Sequence, residues 1–91
     1  MEADLADAKL IKSKLTGANL SNANLTAASL SLTSLNDANL NNTYLWYTKF
    51  CNQEFGETRN ITPEQIKKAK NWEKAVYSPE FRKKLGLTPE E

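Results

Sequence analysis

Hydrophobic positions recur along this chain at every fifth residue: Leu5, Leu10, Leu15, Leu20, Leu25, Leu30, Leu35, Leu40, Leu45, Phe50 and Phe55 lead eleven consecutive blocks without a gap. Two residues before each stands a companion: Ala3, Ala8, Ser13, Ala18, Ala23, Ala28, Thr33, Ala38, Thr43, Thr48 and Gln53, small in every block but the last. The outward positions between them are mostly polar. A period of five excludes an amphipathic helix, which at about 100° per residue would scatter these leucines around its circumference. It also excludes a long flat strand, where an odd spacing sends successive leucines to opposite faces. Companion and leucine, two apart, share one face of a short extended piece, and the remaining residues must turn the backbone before the next block begins. Successive blocks therefore wrap an axis, and the fold class is an all-β solenoid filled by leucine, phenylalanine and small side chains.

Blocks such as Ala18-Asn19-Leu20-Ser21-Asn22 and Ala38-Asn39-Leu40-Asn41-Asn42 resemble the A-(D/N)-L-X-X signature of pentapeptide-repeat proteins, and the resemblance covers residues 3–57. It implies a right-handed quadrilateral β-helix in which four blocks make one square coil, so that eleven blocks give just under three coils. Leu5 would then lie under Leu25 and Leu45, Leu10 under Leu30 and Phe50, Leu15 under Leu35 and Phe55, and Leu20 under Leu40. At the usual inter-strand spacing of roughly 4.8 Å such a body is only about 14 Å tall. On the outside, Asn19 over Asn39 and Asn22 over Asn42 are expected to form amide ladders along the axis.

The period ends at Phe55, and Gly56 with Glu57-Thr58-Arg59-Asn60 marks a boundary between residues 1–57 and a helical segment, 58–91, within one structural unit. A first helix is predicted from Thr62 as N-cap, Pro63 at the first helical position and Gln65 completing a capping box, with an Ile61–Ile66 staple. The same threonine ends an Asn60-Ile61-Thr62 sequon, for which the cap is sufficient explanation. A second helix is predicted from Ser78-Pro79 to a stop at Gly86. On the first helix Ile66, Ala69, Trp72 and Val76 share a sector of about 120°, opposite Lys67, Lys70 and Lys74. Because a short solenoid exposes its interior at both ends, Ile66, Trp72, Val76, Phe81 and Leu85 are expected to cover the last coil near Phe50 and Phe55, with Tyr44, Trp46 and Tyr47 joining them. Residues 71–85 also look like the helical ends of some cyanobacterial pentapeptide-repeat proteins.

Nothing comparable covers the other end, where Met1 and Glu2 lead directly into the first block. The expected partner is therefore an unidentified protein or a second copy, stacking on the uncapped face at Leu5, Leu10, Leu15 and Leu20; alternatively, upstream coils of a longer array would fill it. At 91 residues, 40% hydrophobic, 25% charged and net +1, the composition is that of one small domain with no stretch long enough for a membrane span. No charged-then-apolar leader is visible, so cytoplasmic residence is the expectation, although removal of a leader directing the chain to the periplasm or thylakoid lumen leaves the same trace.

Catalysis has little to stand on. Histidine is absent and Cys51 is the lone cysteine, which excludes Ser-His and Cys-His pairs, imidazole ligation and a thiolate zinc cluster. Cys51 reads as a surface or half-covered thiol. No catalytic, metal or cofactor-binding residues are expected, and no cofactor. Asp37 and Glu57 form the one carboxylate pair that stacking would bring together, and hard metals want more converging oxygens than that. The lysines at 9, 12 and 14 and at 67, 68, 70 and 74 read as solvated faces, and no nucleic-acid partner is expected from a near-neutral chain. The resemblance also raises DNA mimicry directed at gyrase as an alternative function. A body about 14 Å tall would need roughly eight net negatives to imitate duplex DNA. Glu2, Asp4, Asp7, Asp37, Glu54 and Glu57 against Lys9, Lys12, Lys14 and Lys49 leave only −2. The expected function is thus that of a non-catalytic structural or protein-interaction module.

Overall fold

The five-residue rhythm is closed, block by block, by one hydrogen bond. In each block the leucine carbonyl accepts from the amide of the next companion, three residues on: Ala8 N–H to Leu5 at 3.0 Å, Ala28 to Leu25 at 2.9 Å, Thr48 to Leu45 at 3.1 Å. Each such turn holds its third residue at positive φ, through Asp7, Lys12, Gly17, Asn22, Ala27, Leu32, Asp37, Asn42 and Tyr47. That conformation suits Gly, Asn and Asp and strains the others. The structure, a computed structural model, describes residues 3–52 and 56–87.

The chain returns beside itself after four blocks. Parallel bridges join Asp4 to Asn24 to Tyr44, Lys9 to Ser29 to Lys49, Lys14 to Ser34, and Asn19 to Asn39, which defines four columns of rungs. Between rungs the amides alternate, Asn24 N–H donating down to Ala3 and Leu5 N–H donating up to Asn24, each at 2.8 Å. Threonines in the companion slot add a buried bond to the leucine carbonyl of the rung below: Thr43 to Leu20 at 2.7 Å, Thr48 to Leu25 at 2.6 Å, and Thr33 to Leu10. A hydroxyl is thereby accommodated in the interior because a carbonyl lies within its reach. Leu25, Leu30, Leu35 and Leu45 are fully buried, Leu20, Leu40 and Phe50 nearly so, whereas Leu5, Leu10 and Leu15 are only half-buried. Phe55 lies outside the described residues.

The register changes after Phe50. Cys51–Asn52 (β1) and Gly56–Glu57 (β2) pair antiparallel, Cys51 with Glu57 and Asn52 with Gly56, and this excursion inserts five residues before the ladder resumes. Arg59, rather than Glu54, bridges to Ser34, and Thr58 takes the companion slot, its hydroxyl on the Leu30 carbonyl at 2.6 Å. The expected stacking of Asp37 with Glu57 is overturned for the same reason: the Glu57 carbonyl accepts from Leu32 N–H at 3.0 Å.

The expected amide ladders are replaced by local turns. Asn19 Oδ1 accepts from the amide and hydroxyl of Ser21, Asn24 from those of Thr26, and Asn39 from the amide of Asn41. A bond two residues away orders less chain than one to a neighbouring rung, and it tightens the turn that follows. Among the outer residues it is Thr16 that bonds along the axis, to Asn36 Oδ1 at 2.8 Å.

The first helix, Pro63–Lys67 (α1), begins at the Thr62 capping box and is much shorter than the periodicity of its apolar residues predicts. Asn71 adopts a left-handed conformation with φ 57°, a 3-10 turn covers Trp72–Lys74, and Ala75 is extended. The ladder explains the break. Lys70 bridges to Tyr44 and Val76 to Lys49, while Asn42 and Tyr47 donate to the carbonyls of Lys68 and Lys74. Four helical residues rise about 6 Å and cannot serve edge groups spaced along a strand, so the tail unwinds to meet them. The second helix, Pro79–Leu85 (α2), runs from the Ser78 cap to Gly86 at φ 81°.

Ile66 and Leu85 are buried and Trp72, Val76 and Phe81 half-buried, and Ile66, Ala69, Ala75, Tyr77 and Leu85 join the leucines in one cluster. Tyr77 stacks on Phe50 with ring centroids 5.3 Å apart and donates its hydroxyl to the Trp72 carbonyl at 2.5 Å. Burial, aided by the Glu73 carboxylate, raises the Tyr77 phenol well above the usual range for tyrosine. Above pH ~10 the unfolded chain loses this proton while the folded chain keeps it, so stability falls as pH rises. Urea titrations from pH 8 to 11 should show that decline, and Tyr77→Phe should flatten it.

Candidate functional site

The side chains capable of chemistry are mostly committed to structure. Buried threonines donate to ladder carbonyls, Ser78 caps α2, and Cys51 is half-buried. Burial pushes the Cys51 thiol up, and the Glu57 and Glu80 carboxylates push it further, which keeps it protonated and a weak nucleophile at neutral pH. Among the described residues no cluster of three His, Cys, Asp or Glu could hold a metal ion. A pocket between Phe50, Ile61, Tyr77 and Phe81 has a volume of only about 10 Å³, room for a single water at most. The geometry offers surfaces rather than a reaction centre.

Two such surfaces stand out. The first is the face of the first rung. Ser29 and Lys49 donate their amides to Ala8 and Ala28 of the rung below, so the corresponding amide of Lys9 points off the end of the ladder, as do those of Asp4, Lys14 and Asn19. Behind these polar edges lie the half-buried Leu5, Leu10 and Leu15. The second is a corner carrying Tyr44, Trp46 and Tyr47. Trp46 and Tyr47 meet edge to face at 5.2 Å, and the Lys70 ammonium sits 5.1 Å from the Tyr44 ring centroid. All three rings are exposed, Tyr47 to 56%, and none belongs to the apolar cluster that takes in the tail. Tyr44 meets the tail through its backbone bridge and the Lys70 ammonium instead.

Residues 3–42 match the family model for pentapeptide repeats, in eight copies. This stretch is a pentapeptide-repeat array. The family implies a β-helix solenoid and points to a structural or protein-interaction module, its members being in general non-catalytic. No curated protein matches the chain. The pentapeptide-repeat geometry outlasts the matched residues: the Leu45 turn closes on Thr48, Tyr47 has φ 59°, and both Tyr44 and Lys49 continue columns of the ladder. Among the described residues no helix is long and apolar enough to cross a membrane. Arg59 had no place in the sequence-based reading of the surface. The insertion that brings it beside Ser34 carries no periodic signal.

Proposed function

We propose that this chain is a non-catalytic protein-interaction module, a right-handed quadrilateral β-helix of just under three coils whose last coil is covered by the helical segment from residue 58 onward, and whose contact surface is the first-rung face. The single observation that carries this reading is the asymmetry of burial along the axis: Leu25, Leu30, Leu35 and Leu45 are 0% exposed while Leu5, Leu10 and Leu15 are half-buried. An edge of backbone donors with no partner among the described residues, backed by apolar side chains, is a template for strand addition. Its occupant is the β edge of a partner, and the first partner to test is a second copy of the chain.

Lys9→Pro removes an amide that serves no rung below it and places a ring at the edge, which blocks pairing there. The wild-type chain is expected to self-associate in sedimentation equilibrium between 10 and 500 µM (roughly −7 to −4.5 kcal/mol). The variant is expected to stay monomeric with little change in thermal midpoint. A wild-type chain that is strictly monomeric over that range removes this face as a self-docking surface.

A further inference from the structure

One groove of the molecule is lined by cations, and among the described residues it has no acid in its lining. It has a volume of about 290 Å³ and is bounded by Lys12, Ser13, Lys14, Leu32, Ser34 and Arg59. The ladder builds it. Lys14, Ser34 and Arg59 are consecutive members of one bridge column, so the Ser34 side chain sits one rung, about 4.8 Å, from each of two cationic residues. Lys12 enters from the preceding corner, where its amide donates to the Ser31 carbonyl at 3.0 Å and its φ is 64°. Leu32, next to Ser34 in the neighbouring turn, supplies an apolar wall.

Glu57, two residues before Arg59, lines a separate groove with Thr58, Asn60, Ile61, Glu80, Phe81 and Lys84. Among the described residues no carboxylate lines the groove at Lys12, Lys14 and Arg59. Three like charges gathered in this way repel one another unless an anion joins them. The donor set is specific in kind: a guanidinium fork that pairs two oxygens in one plane, two ammonium groups acting as point charges, and the Ser34 hydroxyl able to donate to a third oxygen.

We propose that this groove binds a phosphate group, either as free phosphate or as the phosphomonoester of a phosphoserine side chain. Arg59 takes two oxygens, Lys14 and Lys12 neutralise the dianion, and Ser34 donates to it from the floor. The described lining offers binding groups only, with no carboxylate or imidazole among them to carry a proton. The groove shares Lys14 with the first-rung face but uses that residue differently, through the outward side chains of the column rather than the edge amides.

The test is an NMR amide titration of the full chain in 100 mM sodium chloride at pH 7.5, with three probes: inorganic phosphate, an alanine-flanked phosphoserine pentapeptide, and the same peptide unphosphorylated. Saturating shifts are expected at Lys14, Ser34 and Arg59, with dissociation constants on the order of 1 mM (about −4 kcal/mol) for phosphate and none measurable for the unphosphorylated peptide. Tighter binding of the phosphopeptide than of phosphate assigns the ligand to a partner's phosphoserine; the reverse order assigns it to free phosphate. Arg59→Lys, which keeps the charge and loses the fork, should weaken binding about 5-fold or more, and Lys12→Ala with Lys14→Ala about 10-fold or more. Lys70→Ala, in another column, should change it less than 2-fold. Shifts spread evenly over the Lys9–Lys49 column and the column of Lys70, equal responses to acetate at the same ionic strength, or unchanged affinity in both groove variants would overturn the proposal. Because Lys9→Pro leaves the groove intact, repeating the titration in that background separates failure here from failure of the association reading.

Discussion

Leu30→Ala should destabilise the chain by about 3 to 4 kcal/mol, within the range for buried leucines truncated in a packed core. Leu30 is 0% exposed, its amide donates to the Lys49 carbonyl at 2.8 Å, and its own carbonyl accepts from Thr33 and from the Thr58 hydroxyl. It has a rung on either side, and backbone ladders prevent those rungs from collapsing into the cavity. Leu5→Ala, in a half-buried position with a rung on one side only, should cost about 1 kcal/mol. For a domain whose whole stability is of order 5–10 kcal/mol, the first change removes a large share and the second a small one. Urea unfolding followed by circular dichroism measures both, and equal losses would contradict a core centred on the middle rung.

Gln65→Glu should cost about 2 kcal/mol at neutral pH, although it swaps one atom. Gln65 does two jobs. Its Oε1 accepts from the Thr62 amide at 2.9 Å, completing the capping box, while its Nε2 donates to the carbonyls of Leu35 at 2.8 Å and Ala38 at 3.1 Å. Those carbonyls lie where α1 replaces a strand above the Leu35 block, so the side chain stands in for missing ladder amides. Glutamate keeps the first bond and sets a charged oxygen against two carbonyl oxygens. Facing those oxygens, the carboxyl would have a raised pKa in the folded state, so the loss should be full above that pKa and shrink as the pH falls through it. Gln65→Met removes the donor without adding charge and should show a smaller loss with no such recovery. Calorimetry at pH 7 and pH 4.5, referenced to wild type at each pH, distinguishes the two.

The interior of the repeat was legible in the sequence because every block repeats the same local bargain: an inward pair two residues apart, then a turn closed by the leucine carbonyl. Even the left-handed turn position leaves a trace, as Asp7, Gly17, Asn22, Asp37 and Asn42 are residue types that tolerate it. Lys12, Ala27, Leu32 and Tyr47 at the same position do not signal it; there the neighbouring rungs impose the conformation. The outer asparagines depart from the expectation because stacking suggests axial ladders, whereas the side chains of Asn19, Asn24 and Asn39 find a closer partner two residues along their own chain. Of the candidate surfaces, the first-rung face follows from the pattern itself. The basic groove does not, because Lys14 and Arg59 meet only through the shifted register.

What the sequence determined alone is the shape of one block and the fact that blocks wind about an axis, since these depend on interactions within five or six residues. What tertiary structure decided is the register after Phe50 and where α1 ends, whereas the Thr62 cap and the helix from Ser78 to Gly86 are local signals. Read locally, the capping box and apolar spacing favour a helix reaching Val76; in the folded chain α1 stops at Lys67, Asn71 turns left-handed, and Lys70 and Val76 become rungs. The reason is the exposed edge of the last repeat. The amides of Asn42, Leu45, Tyr47 and Phe50 need carbonyl partners, and leaving them without one costs more than the few helical bonds the tail gives up.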